Sequence, residues 1–219
     1  MKNIIIIGSS GHSKVVIDII EIKKEFNIVG LIDRFRVGEE TEGYNVLGKE
    51  EDLPELIKKY SIHGVIVAVG DNFVRSKISK YVKEKCPNLE FISAIHPNTS
   101  ISKNVSIGRG SMIMAGVIIN SKSIVGESCI LNTASSLGHD CVIKDFASIA
   151  PGVRVGGNCK IDELAAISIG AVLVHKINIG QETIIGAGST VVNDIGPFVV
   201  AYGTPAKMIR NRKSGEKYV

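Results

Sequence analysis

The chain has 219 residues, 44% of them hydrophobic and 22% charged, with no Trp; that is enough apolar material for one or two globular domains and excludes a disordered chain. Ile (34) and Val (23) far outnumber Leu (9), a β-branched excess that favours strands and argues against a helical bundle or coiled coil. The net charge of +4 sits entirely at the C-terminal end: residues 1–94 carry 14 basic and 14 acidic side chains, 95–195 carry 7 and 7, and 196–219 carry 5 and 1, too little and too local for a nucleic-acid reader, although it would meet a phosphorylated small molecule.

In chain order, the first apolar run, residues 4–7, stops at Gly8. It is far short of a signal peptide's apolar region or a membrane span, so a cytoplasmic chain with no membrane partner is expected. Residues 8–14, Gly-Ser-Ser-Gly-His-Ser-Lys, follow that strand and open a helix over 13–24. In such a turn glycines admit close backbone approach and the helix N-terminus attracts phosphate. A plain strand-to-helix connection reads the same way. Further strands are predicted over 28–32, 64–69 and 89–95, and helices over 53–60 and 73–85, giving a small parallel α/β unit of about four strands. Asp33 ends the second strand, where a dinucleotide site places its ribose-binding acid, so an NAD-binding module is a rival reading. The turn is not G-x-G-x-x-G, however, and this length holds only half of a full dinucleotide-binding sheet.

From Ile95 to Val191 every sixth residue, seventeen in all, is Ile, Val or Leu, and four residues after each stands a small or β-branched residue, from Thr99 to Ile195. No helix has that period. It suits a parallel β-helix with three flat faces per turn, in which each aliphatic points inward and stacks on its counterpart one coil later. Seventeen hexads make about five to six coils, and at roughly 4.8 Å per coil the prism is about 25–30 Å long. Composition changes at the same place. Of 11 aromatics only Phe146 lies within 95–195, and charge density halves, from 28 of 94 residues to 14 of 101. The expected organisation is therefore an α/β domain over 1–94, a β-helix over 95–195 and a basic tail over 196–219. No long loop interrupts the hexads, so an active site must be built on the faces or with a neighbouring chain.

Cys86, Cys129, Cys141 and Cys159 form no C-x-x-C pair, and the last three occupy the small-residue slot, so packing is expected rather than a disulfide, a nucleophile or a metal site. His139 stands two residues after inward Leu137, at an outward position, with Asp140 next to it. An imidazole suits a general base, and a neighbouring carboxylate would orient it; taken alone, the residue reads more readily as a solvated surface histidine. His175 stands two coils along, about 10 Å away at strand spacing, too far for a dyad, and His63 and His96 read as turn residues.

The turn at 8–14, Gly70-Asp71-Asn72, Asn132-Thr133, His139-Asp140 and Gly203-Thr204-Pro205-Ala206-Lys207, set on these hexads, resemble over essentially the whole chain the sialic-acid O-acetyltransferase/bacillosamine N-acetyltransferase family of hexapeptide-repeat sugar acetyltransferases. The hexad by itself speaks for the fold only, since carbonic anhydrase-like proteins share it. The resemblance implies a Rossmann-like N-terminal sheet followed by a left-handed parallel β-helix, with acetyl-CoA as co-substrate and no metal. His139 is then the base, Asp140 its partner and Asn132 an active-site asparagine. The N-terminal domain is implied to bind a nucleotide sugar through Ser10, Gly11, His12, Asp33, Arg34 and Gly70. Gly157, Ile169 and Ala187 are implied as main-chain contacts of the pantetheine arm, with Lys207 near them. Ser148 replaces a second histidine of the family beside the coenzyme's acetyl group. Asp33-Arg34 stands where relatives often carry Asp-Asp, leaving the nucleotide base open. The implied activity is N-acetylation of a nucleotide-linked amino sugar, of the UDP-4-amino-4,6-dideoxy hexosamine type, for surface glycans, by a homotrimer with sites between subunits. The alternatives are O-acetylation of a sialic-acid-like sugar and a non-catalytic nucleotide-binding scaffold.

Overall fold

The structure, a computed structural model, describes residues 1–217; residues 218 and 219, the end of the expected basic tail, lie outside the described residues. The N-terminal unit contains β1 (Lys2–Ile7), α1 (Gly11–Lys23), β2 (Phe26–Ile32), β3 (Glu40–Thr41), β4 (Tyr44–Gly48), α2 (Leu53–Tyr60), β5 (Ile62–Val67), α3 (Asn72–Lys85) and β6 (Glu90–Phe91). Its sheet runs β3-β4-β2-β1-β5-β6, and every pairing is parallel except that of β3 with β4. The central strand ends in four isoleucines because both its faces are buried there: Ile4 and Ile6 pack towards α1, Ile5 and Ile7 towards α2 and α3, the alternation a strand imposes.

Two sequence expectations are corrected. The β3–β4 hairpin adds strands over residues 40–48, where the Glu-Gly turn at 42–43 and a single fully buried aliphatic, Val46, gave no alternating signal. The stretch 89–95, read as one strand, divides into β6, which pairs with β5, and Ala94–Ile95, which pairs with Met112–Ile113 and starts the second unit.

That second unit is a left-handed parallel β-helix of seventeen two-residue strands, from Ala94–Ile95 to Thr190–Val191, each paired with the strand one coil along, as in Met112↔Ile130 and Ile124↔Val142. Face 1 stacks the strands from Ala94–Ile95 to Ile184–Ile185, face 2 those from Ser100–Ile101 to Thr190–Val191, and face 3 those from Ser106–Ile107 to Asn178–Ile179. From Ile113 to Val191 every hexad aliphatic is buried, whereas Ile95, Ile101 and Ile107 on the open first coil are partly so. The other end is closed by a hairpin, Val199–Gly203 with Ala206–Asn211, which extends face 1.

Corners follow one rule. The residue three after each inward aliphatic, from Gly110 to Gly188, has a left-handed backbone, and nine of these fourteen are not glycine. Each costs about 1–2 kcal/mol of local strain, offset by coil-to-coil hydrogen bonds such as Asp140 N–H to Ser121 O at 3.0 Å. In the small slot, Ser and Cys do one job: Ser123 Oγ donates to Gly138 O at 2.8 Å and Cys141 Sγ to Gly156 O at 3.1 Å, each reaching the next coil. Cys141 and Cys159 are buried in the prism core, and burial pushes the Cys129 thiol up to about 12, which fits packing rather than nucleophilic chemistry for Cys129. No helix among the described residues is long and apolar enough to cross a membrane.

The two units share a core. Ile4, Ile6 and Ile19 pack with Met112, Met114 and Ile130 of face 1. The N-terminal unit therefore sits on face 1 and leaves the corner between faces 2 and 3 on the opposite side of the prism.

Candidate active site

Parallel strands leave a crevice where successive crossovers turn to opposite sides of the sheet. Here β1 is central, with β2 on one side and β5 on the other, and a cleft of about 640 Å³ opens at their C-terminal ends, a small-molecule size. Ile7, Gly8, Ser10, Asp33, Arg34 and Phe35 line it from β1 and β2, and Phe73, Lys77 and Tyr81 from α3. Gly8 has φ +107°, and a Cβ there would lie 2.8 Å from Ala68 O, so the turn needs glycine twice over. The Asp33 carboxylate accepts from Ser9 Oγ at 2.7 Å, Ser9 N–H at 3.2 Å and Phe35 N–H at 3.0 Å, pinning the two loops at the mouth. Phe35 is 87% exposed on that rim. Arg34 is held by Glu50 and Glu51, each at 3.1 Å, with Glu50 the larger cause of its raised pKa; its charge is already balanced.

Gly11 and Gly70 carry open space where a Cβ would be, and neither they nor His12 line the cleft. His12 is held down to about 4, first by burial and then by the Arg75 guanidinium, and its buried Nε2 has no hydrogen-bond partner among the described residues. It presents a neutral ring at physiological pH.

The seam between the units is polar. Asp71 caps α3 by accepting from Val74 N–H at 2.9 Å. Asn72 Nδ2 donates to Ser148 Oγ (3.1 Å), Leu164 O (3.2 Å) and Ala165 O (3.0 Å). Arg75, fully buried, donates to Ser128 O, Val69 O and Phe146 O, each at 2.8 Å, and to Asn72 Oδ1 at 2.7 Å. Ser128, Phe146 and Leu164 are successive left-handed corners of one column, so Arg75 and Asn72 grip three coils at once. Ser148, expected beside the coenzyme, thus stands on face 1 against α3. The sequence reading noted Asn72 but missed Arg75; the available signal was one Arg among the four lysines of α3, three residues after Asn72, at the spacing that puts both on one side of a helix.

His139 and Asp140 lie at the corner joining Ser136–Leu137 of face 2 to Val142–Ile143 of face 3, exposed at 63% and 44%. Asp140 has φ +56°, and this left-handed bend turns its carboxylate back to the ring: Oδ2 lies 2.7 Å from His139 Nδ1. With Nδ1–H donating to Asp140, Nε2 carries the ring's free lone pair. One coil along, Gly157 lies against the ring. The ladder's bonds run from Gly156 N–H to Leu173 O and from Asn158 N–H to His139 O, and pass over the Gly157 N–H between them.

The remaining predicted residues divide between edges. Asn132, Ile169 and Ala187 belong to the corner joining faces 1 and 2, not to that of His139 and Gly157. Asn132 Oδ1 accepts from Thr133 N–H at 2.8 Å. The expected basic tail is largely a folded hairpin rather than a free arm. Arg212 is buried against Glu182, donating to its main-chain O at 2.5 Å, and Arg210 pairs with Glu216 at 2.6 Å; Lys207 and Lys213 remain exposed. No group of three or more His, Cys, Asp or Glu among the described residues is arranged to hold a metal.

Residues 3–82 match the family described as the PglD N-terminal domain. Over 116 residues the chain is 32% identical to the UDP-N-acetylbacillosamine N-acetyltransferase of Bacillus subtilis, covering 52% of each chain; in this and two other curated relatives the match spans about half or less of the relative's length. Solved structures match over nearly the whole chain. A point mutant of perosamine N-acetyltransferase from Caulobacter crescentus, in complex with CoA and GDP-perosamine, is 32% identical, with 96% of this chain and 98% of that one covered and a TM-score of 0.91. The acetyltransferase domain of PglB from Neisseria gonorrhoeae, in complex with acetyl coenzyme A, is 30% identical, with 95% and 99% covered and a TM-score of 0.88.

Proposed function

We propose a function from one premise: the chain belongs to the hexapeptide-repeat family of sugar acetyltransferases that includes the bacillosamine N-acetyltransferases. It transfers the acetyl group of acetyl-CoA to the amine of a nucleotide-linked amino sugar. The observation that carries this reading is the exposed His139–Asp140 pair, with Nδ1 held at 2.7 Å and Nε2 open. The sugar amine attacks the thioester carbonyl and forms a C–N bond. His139 Nε2 takes the proton the amine sheds, and the C–S bond breaks as the coenzyme leaves as thiolate, which the imidazolium then reprotonates. Asp140 keeps the ring in the tautomer that can accept at Nε2 and stabilises the imidazolium. The Gly157 N–H, spanned by the ladder on either side, is available to the tetrahedral oxyanion.

The cleft above β1 and β2 holds the nucleotide, with Phe35, Phe73 and Tyr81 offering ring faces to the base. The relatives named for GDP-perosamine and UDP-N-acetylbacillosamine favour an amine over a hydroxyl acceptor. Within one chain the cleft sits above face 1 while His139 stands on the opposite corner, and Asn132, Ile169 and Ala187 occupy yet another edge. That separation supports a homotrimer in which one subunit's cleft and edge meet its neighbour's His139 corner. The product is a building block for surface polysaccharide, made in the cytoplasm, where acetyl-CoA and sugar nucleotides are available.

The test is thiol release from acetyl-CoA with a panel of UDP-, GDP- and CMP-linked amino sugars, for the wild type and His139→Ala. Turnover with at least one amino sugar and a loss of about 10²–10⁴-fold in the variant are expected. Unchanged turnover in the variant would sink the single-base mechanism, and absence of coenzyme binding would leave a nucleotide-binding scaffold.

A further inference from the structure

Of the seventeen residues that stand two after an inward aliphatic, from Pro97 to Asn193, one is glycine, and it is Gly157. Elsewhere this outward position carries full side chains, such as Glu127, Thr133, Asp145 and Glu163. The backbone does not demand glycine here, because Gly157 is not among the residues with positive φ. Nor does coil stacking. At Gly138, a Cβ would lie 2.5 Å from Gly157 N, and at Gly156 it would lie 2.6 Å from His175 N; those glycines are fixed by the main chain of the next coil. At Gly157 the three nearest atoms to a Cβ are all in the His139 ring: Nε2 at 2.7 Å, Cε1 at 2.9 Å and Cδ2 at 3.1 Å.

We infer that Gly157 is a positioning residue for the base: its bare Cα is the seat on which the His139 ring lies while Asp140 holds the other side. This inference rests on the acetyl-transfer reading for its catalytic consequence, and it is additional to any contact Gly157 makes with the coenzyme. Two constraints fix the ring. The 2.7 Å bond from Nδ1 to Asp140 ties one edge, and the floor at Gly157 sets how close Nε2 lies to the prism. A methyl group on that floor cannot be met by the main chain giving way, so the exposed ring must swing out, and it cannot do so without stretching its bond to Asp140. The fold is indifferent to this motion, since His139 is 63% exposed. Nε2 is not, because displacement of a reacting group by about 1 Å costs on the order of 10²-fold in rate.

The test is Gly157→Ala in the full chain, with His139→Ala and the double variant as partners. Long-range ¹H–¹⁵N spectra of histidine-labelled protein without substrate report the His139 tautomer and environment; Gly157→Ala is expected to shift these signals and to populate the other tautomer. Its kcat should fall about 10–100-fold, while the coenzyme A Kd by calorimetry stays within about twofold, and the substitution should have no further effect on coenzyme binding when His139 is already Ala. Wild-type His139 signals in Gly157→Ala overturn the proposal. A tenfold weaker coenzyme affinity in both Gly157→Ala and the double variant also overturns it, making the residue a coenzyme contact. The spectra require no turnover, so a failure of the acetyl-transfer reading would appear separately, as a wild type that releases no thiol.

Discussion

At the residue scale, chemistry depends on which polar atoms the backbone leaves committed and which it leaves open. His139 has one nitrogen committed to Asp140 and one open, while Arg34, an equally visible candidate, has its charge balanced by Glu50 and Glu51. His139 was legible because it stands at an outward hexad position next to an acid. Arg75 was not, because nothing in a helix of mixed charge says which basic residue turns inward. His12 illustrates the same limit: its place in the Gly-Ser-Ser-Gly-His turn was visible, but not the burial and the Arg75 charge that keep it neutral. With a folded pKa of about 4 against an ordinary value near 6.5, the unfolded chain binds the proton first as pH falls. His12 therefore contributes stability that is present above about pH 6.5 and is lost progressively towards pH 4, by up to about 3 kcal/mol. Urea unfolding midpoints should fall between pH 7 and pH 5 in the wild type and fall less in His12→Gln; equal slopes would show that other groups set the acid limb.

At the element scale, the hexad made the prism readable almost residue by residue, because a period of six fixes face, direction and stacking together. The joint between the units was not readable, since it is made by polar side chains meeting main-chain carbonyls that carry no sequence identity. Arg75 supplies donors to Ser128 O, Val69 O and Phe146 O, and Asn72 to Leu164 O and Ala165 O. Replacing Arg75 with Met keeps the volume and removes every donor, leaving buried acceptors unpaired at about 1–3 kcal/mol for each one that water cannot reach. The expected result is a drop in Tm of several degrees or more. Because α3 also forms one wall of the cleft proposed to hold the nucleotide, the KM for the nucleotide sugar should rise more than that for acetyl-CoA. Arg75→Lys should recover only part of the loss, since one ammonium cannot reach acceptors arrayed around a planar fork. A Met variant with wild-type Tm and both KM values unchanged would mean that the apolar seam of Ile4, Ile6, Met112 and Ile130 holds the units alone.

At the scale of the whole molecule, the arrangement is divided: the cleft rides on face 1, His139, the proposed base, stands on the corner between faces 2 and 3, and among the described residues no long loop crosses the prism to join them. In the proposed trimer, a chain built this way completes its site by meeting another copy. The outward-facing Ile118, Ile124 and Val172 on faces 2 and 3, each more than a third exposed, provide apolar surface for such a meeting. Complementation follows from this division. Ser10 lines the cleft and is exposed, so Ser10→Trp should plug the cleft while leaving the His139 corner intact, and His139→Ala does the reverse. Each variant alone is expected to be inactive. Co-expressed in equal amounts, they assemble at random, and a mixed trimer, whichever variant it holds twice, contains one intact pairing of one chain's cleft with its neighbour's base among its three sites, so about one third of wild-type turnover should return in the mixed assembly. If each chain completed its own site, every chain in the mixture would still lack one half and no activity would return, whatever the oligomeric state. Measuring the mixed assembly, purified through a different tag on each variant, therefore reads the location of the site directly rather than inferring it from assembly size.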